Sequence, residues 1–188
     1  MNWRLSDRAD PAAKPLADRH YNRQSPDSPQ FVPPGRCVVL VTTDGRALWI
    51  TSGPRAEYVR HAWAGAWVCS CFRNESAARS SDLIREACAA TVALWGSPPP
   101  LGMVTFVDAD KTRRKRDPGR CFRRAGFEHV GFTRGGLYAL TLAPLAFPAA
   151  ELPEGAQLSL VPADRLERAT LKLSTAHPYT RITEAANS

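Results

Sequence analysis

The sequence predicts an α+β domain, a mixed and mostly antiparallel sheet interrupted by one central helix crossover. Three observations carry this expectation. Asp44-Gly45 separates the apolar runs 37–42 and 47–51, a strong hairpin signal. Residues 67–96 read as an apolar strand, a polar loop and an amphipathic helix, which is how a crossover begins. A second hairpin follows late in the chain, with strands over 128–133 and 137–142 around Arg134-Gly135-Gly136.

Each element has its own signal. Residues 1–11 are polar and read as a flexible N-terminus ahead of a domain over 12–143. A short helix over 12–20, in spite of Pro15, leads into His20-Tyr21. After the first hairpin and Gly53-Pro54, a strand is expected over 67–72, with Cys69 and Cys71 on one face by simple alternation. In the helix that starts near Ser80, Leu83, Ile84, Ala87, Cys88, Thr91, Leu94 and Trp95 share one face. Ser80 or Ser81 is its expected cap, Asp82 favours the dipole, and Gly96 with the prolines at 98–100 ends it. Residues 102–108 form a short buried strand that closes on Asp108. Asp117 as N-cap and Pro118 at N1 open a short helix through Ala125, stopped by Gly126. Residues 144–188 read as a C-terminal extension that packs on the domain, with a helix over 163–173 and a frayed end.

Composition narrows the function classes. A length of 188 residues suits one domain with a tail. No apolar run approaches the ~20 residues that cross a bilayer, and the first residues lack a secretory h-region. A cytoplasmic protein with no membrane partner is expected. The five cysteines are odd in number, lack a CxxC pair and sit in apolar patterns, so packed thiols rather than a zinc site are expected. A net charge of +7 favours a polyanionic partner, nucleic acid foremost.

Several residue groups are candidates for chemistry. The strand, polar loop and helix N-terminus around 67–81 make an anion site, because free N–H groups point outward there. Asn74, Ser80 and Ser81 are the candidate cofactor-binding residues. Arg73 can hold a carboxylate or phosphate bidentately, or simply pair with Glu75. His20 reads as a general base or metal ligand, and Tyr21 as a group that stacks on a base; the plainer alternative is a surface pair closing a helix. Asp108, at a strand end, can orient His20, accept a proton, bind a metal, or pair with the basic run that follows. That run holds Lys111, Arg113, Arg114, Lys115, Arg116, Arg120, Arg123 and Arg124 against one acid, Asp117, which suits phosphate contacts as well as a solvated face.

The element order, ending in Phe122, Gly126 and Phe127 of the segment Arg120-Cys-Phe-Arg-Arg-Ala-Gly-Phe127, resembles the GNAT acyltransferase superfamily over residues 12–142. Within it, His20-Tyr21, Arg73, Ser80-Ser81 and Asp108 resemble the set found in Mom-like phage DNA modification proteins. The resemblance implies splayed central strands that admit a donor. It also implies transfer of a carbamoylmethyl-type group to adenine in double-stranded DNA, in a host cytoplasm, as a defence against restriction. His20, Tyr21, Arg73 and Asp108 are then the catalytic set. The donor is unknown: acetyl-CoA or a related acyl donor fits the superfamily, iron is a candidate metal at His20 and Asp108, and a homodimer is compatible with the sequence. Two departures stand out. No glycine lies between Arg73 and Ser81, where the superfamily's phosphate loop has them, and Phe122 replaces the tyrosine many of these enzymes use as an acid. An acetyl-CoA-dependent N-acetyltransferase and a non-catalytic DNA-binding protein on the same scaffold are the alternatives.

Overall fold

The computed structural model describes residues 1–156 apart from 27, 55–58, 60 and 113–116. Arg113, Arg114, Lys115 and Arg116, and the tail from 157 onward with its expected helix over 163–173, therefore lie outside the described residues.

The elements are β1 (Trp3–Ser6), α1 (Lys14–Asp18), β2 (Arg36–Thr42), β3 (Ala47–Gly53), β4 (Trp67–Asn74), α2 (Ser80–Trp95), β5 (Met103–Val107), α3 (Arg120–Arg124), β6 (Glu128–Phe132) and β7 (Tyr138–Leu142), then a 3-10 turn (Pro144–Ala146). They form one seven-stranded sheet in the order β1-β2-β3-β4-β5-β7-β6. Every neighbouring pair is antiparallel except β4 and β5, which α2 links as a parallel crossover. The expected mixed, mostly antiparallel α+β sheet is present.

Both faces of the central strands are buried, which is why 37–42 and 47–51 read as unbroken apolar runs. Val38, Leu40, Ala47 and Trp49 face the core under α2, while Val39, Val41, Leu48 and Ile50 face a second core under α1. The predicted face of α2 is borne out: Leu83, Ile84, Ala87, Cys88 and Thr91 are buried. Thr91 makes its hydroxyl compatible with the core by donating to the Ala87 carbonyl at 2.8 Å, and it also meets Thr51, which accepts from the Trp49 indole at 2.7 Å.

Several expectations need correction. Residues 3–6, read as part of a flexible N-terminus, form edge strand β1 because Trp3 is fully buried and its indole donates to the Leu83 carbonyl at 2.8 Å. A hydrophobic anchor of this size holds an otherwise polar segment in the sheet. The compact unit includes the first part of the C-terminal extension, as far as Ala156. Phe147 packs edge-on against Trp67, and the Glu154 backbone bonds to Trp3 and Leu5 on the open side of β1. Strand β4 begins at Trp67 as expected and runs on to Asn74, two residues past the expected end at Phe72. Helix α2 has Arg79 as N-cap with no side-chain cap, placing Ser80 and Ser81 inside the first turn. In α3 the cap is Gly119 at φ 75°, not Asp117, whose carboxylate pairs with the Arg123 guanidinium instead. The left-handed φ of 75° is what favours glycine at this cap, since the only atom a Cβ would meet closely, at 2.7 Å, is the movable end of the Leu140 side chain.

Cys69 and Cys71 do not share a face. Ile50 pairs with Cys71 and Thr51 with Cys69, leaving Ser70 as the extra residue of a β-bulge. Beyond it the alternation is inverted: Cys69 lies in the core under α2 and Cys71 in the core under α1. The Ser70 hydroxyl is held by Ser52 at 3.1 Å and by the Ile50 carbonyl at 3.3 Å.

Candidate functional site

The bulge stands where the sheet opens. Strands β4 and β5 pair only from Trp67 with Met103 to Cys69 with Thr105. Past Cys69, β4 continues to Asn74 paired with β3 but not with β5. The divergence creates a cleft of about 1270 Å³, walled by β4 from Cys69 to Asn74, the end of β5, the start of α2, helix α3 and the segment Arg19–Asn22. A single small ligand needs roughly 300–1,000 Å³, so this space accommodates two reactants side by side.

One wall is organised by Glu75. Arg19 donates to both of its carboxylate oxygens at 2.9 and 2.7 Å, and Arg73 Nε donates to one of them at 2.5 Å. Arg73 also donates through Nη1 to the Arg19 carbonyl. Arg73 can reach Arg19 only because the bulge turns it to the α1 side of the sheet. The two guanidiniums, Arg19 first, push the Glu75 carboxyl down to about 2. The pairing of Arg73 with Glu75, one of the two sequence-based readings of Arg73, is therefore present, and it ties the His20 segment to the end of β4.

His20 and Tyr21 stack with ring centroids 4.5 Å apart. Burial, aided by the nearby Arg73 charge, pushes the His20 imidazole down to about 4, so it is neutral at pH 7. Its Nδ1 accepts the Asn22 N–H at 3.3 Å, which leaves the proton on Nε2. In this tautomer Nε2 is a donor and Nδ1 an acceptor. The Tyr21 hydroxyl lies in the mouth of the divergence, 3.5 Å from the Phe106 carbonyl and beside the Asp108 backbone N–H. Burial raises its pKa, so the phenol stays protonated.

The floor is apolar, with Phe72, Phe106 and Phe122. Phe122 is buried against Trp49, Phe72 and Phe127, and supplies no acid. Burial raises the Cys69 thiol well above its ordinary value and pushes Cys71 up to about 12, so neither is a thiolate nucleophile at neutral pH.

The mouth is cationic. Arg19, Arg73, Arg79, Lys111, Arg120 and Arg124 line the cleft against Asp110 and Asp117. Glu75 offsets the first two; Arg120 and Arg124 have no ion pair among the described residues. No protein-family model matches the chain, and no curated protein or solved structure matches it.

The remaining expected site residues divide. Ser80 and Ser81 line the cleft. Asn74 does too, but its amide is used within the loop, donating to the Ala78 carbonyl and Ser80 hydroxyl and accepting from Ser76. Asp108 is not in the lining: its carboxylate accepts the Lys111 N–H at 3.0 Å and organises the turn after β5. It meets Tyr21 through its backbone rather than orienting His20. Arg123 is turned to Asp117 and the Pro118 carbonyl. Among the described residues no group of three or more His, Cys, Asp or Glu side chains is placed to hold a metal ion. No helix of the described residues is long and apolar enough to cross a membrane. Sequence reasoning missed Arg19, the Ser70 bulge and Arg79 as parts of the site. A lone arginine and a strand serine carry no pattern that would single them out.

Proposed function

We propose that this protein is a DNA-modifying group transferase of the Mom-like type, which adds a carbamoylmethyl-type group to N6 of adenine. The supporting observation is the cleft at the β4–β5 divergence, large enough for two reactants and rimmed by cations that attract phosphate. Adenine N6 is a poor nucleophile because its lone pair is delocalised into the ring. A neutral imidazole beside the target and a cofactor held at the α2 N-terminus answer both needs of such a transfer. In this reading Arg120 and Arg124 engage the DNA backbone, Tyr21 and His20 meet the extruded adenine, and the first turn of α2 holds an anionic part of a donor that carries the carbamoylmethyl group on a leaving group. The N6–CH2 bond forms as the bond to the leaving group breaks, the leaving group keeps that electron pair, and His20 takes the N6 proton.

The test is mass spectrometry of nucleosides from the DNA of cells expressing the protein. A heavier deoxyadenosine that disappears with His20→Ala supports the proposal; unmodified nucleosides from cells holding soluble wild-type protein overturn it. A second reading, an N-acetyltransferase for amines, draws on the same helix N-terminus. The glycine-free loop 73–81 and the buried, hydroxyl-free Phe122 count against it. Acetyl-CoA binding with transfer to a small amine, and none to DNA, would favour it.

A further inference from the structure

A second bulge builds an aromatic cluster at the far edge of the sheet. His129 pairs with Leu140, Gly131 with Ala139 and Phe132 with Tyr138, so Val130 is the extra residue. Without it His129 and Phe132 would face opposite sides of β6; with it they share one face. There His129, Phe132 and Tyr138 pack mutually, with ring centroids 5.0 to 5.1 Å apart. Cross-strand packing explains Tyr138, which is half-buried against the core. It does not explain Phe132, which stays 59% exposed at the end of an edge strand.

The position is informative. Tyr138 pairs with Val107, the last residue of β5, so the cluster lies at the end of the sheet where β5 leads into the turn bearing Lys111. Arg134 is exposed in the turn that follows Phe132. Exposed rings beside cations are the arrangement that binds unpaired nucleobases: every base has a π-face, and the cations hold the backbone. The bulge also twists the outer edge of β6, which disfavours addition of a strand from a second copy. We infer that His129, Phe132 and Tyr138 form a stacking platform for an unpaired base of single-stranded nucleic acid. This rests on the DNA reading of the cleft, since extruding one base leaves unstacked neighbours nearby.

Fluorescence anisotropy of a labelled oligothymidine of about 12 nucleotides tests the platform. Phe132→Ala and Phe132→Leu are expected to weaken single-strand binding roughly 10-fold, and Phe132→Trp to restore it. Because the side chain is exposed, these variants fold, as unchanged thermal melts would verify. Wild-type affinity in Phe132→Leu overturns the platform, as does a dimer that Phe132→Ala converts to monomer with single-strand affinity unchanged. Nucleoside analysis separates the two proposals. Phe132-dependent binding without adenine modification removes the catalytic reading and leaves the platform, whereas modification with Phe132-independent binding removes the platform alone.

Discussion

Cys69 and Cys71 stand two residues apart on one strand and face opposite sides of the sheet, because Ser70 bulges between them. Ser70 directly follows Cys69, the last residue of β4 that pairs with β5. One inserted residue thus turns Arg73 toward Arg19 and lies where the cleft opens. Bulges beside functional sites commonly re-aim side chains in this way.

Glu75 couples the two walls of the His20 segment. In Glu75→Gln, Arg73 and Arg19 lose their compensating charge, and the His20 imidazole is expected to titrate lower still than about 4. Histidine ring-proton shifts in NMR read this directly. Overall stability should change little, since half-exposed ion pairs contribute little. An unshifted or raised His20 titration would show that Arg73 does not act on the ring.

Acid sensitivity should carry the His20 signature. Its folded pKa of about 4 lies below the ordinary histidine value of 6.5. The unfolded chain therefore binds more protons between those values, and stability is fully present above about pH 6.5 and declines as pH falls toward 4. Glu75, held at about 2, adds stability present above its ordinary value of 4.5 and lost as pH falls through 2. Denaturant titrations at stepped pH should show the upper decline in wild type and its reduction in His20→Gln.

Gly102, just before β5, has no room for a side chain. It sits at φ 62°, and a Cβ there would lie 2.0 Å from the Leu142 carbonyl oxygen. Gly102→Ala is expected to cost about 2–4 kcal/mol, measured by urea unfolding. A near-neutral result would mean that β5 and β7 slide apart easily.

Arg120 and Arg124 are the cleft cations with no acidic partner among the described residues. Replacing each with Ala should weaken duplex DNA binding regardless of sequence and lower the salt-dependence slope by roughly 0.9 per lost phosphate contact. Arg123→Ala, which breaks the pair with Asp117, should leave that slope unchanged. Anisotropy titrations across salt concentrations distinguish the three.

Local pattern determined much of this protein by itself. Asp44-Gly45 and the apolar runs beside it specify the first hairpin, and the 3.6-residue spacing from Leu83 to Thr91 specifies the buried face of α2, because these signals are local. Gly126, at φ 106°, ends α3 as its residue type dictates. Residues that line the cleft, among them His20, Tyr21, Arg73, Ser80 and Ser81, were legible as a list but not as an arrangement. Tertiary structure alone decided that Asp108 organises a turn, that Glu75 bridges two arginines, and that Trp3 draws a polar N-terminus into the sheet. The two bulges were hidden for a physical reason: period-2 alternation assumes that each residue has one partner, and only the pairing of neighbouring strands reveals where Ser70 and Val130 have none.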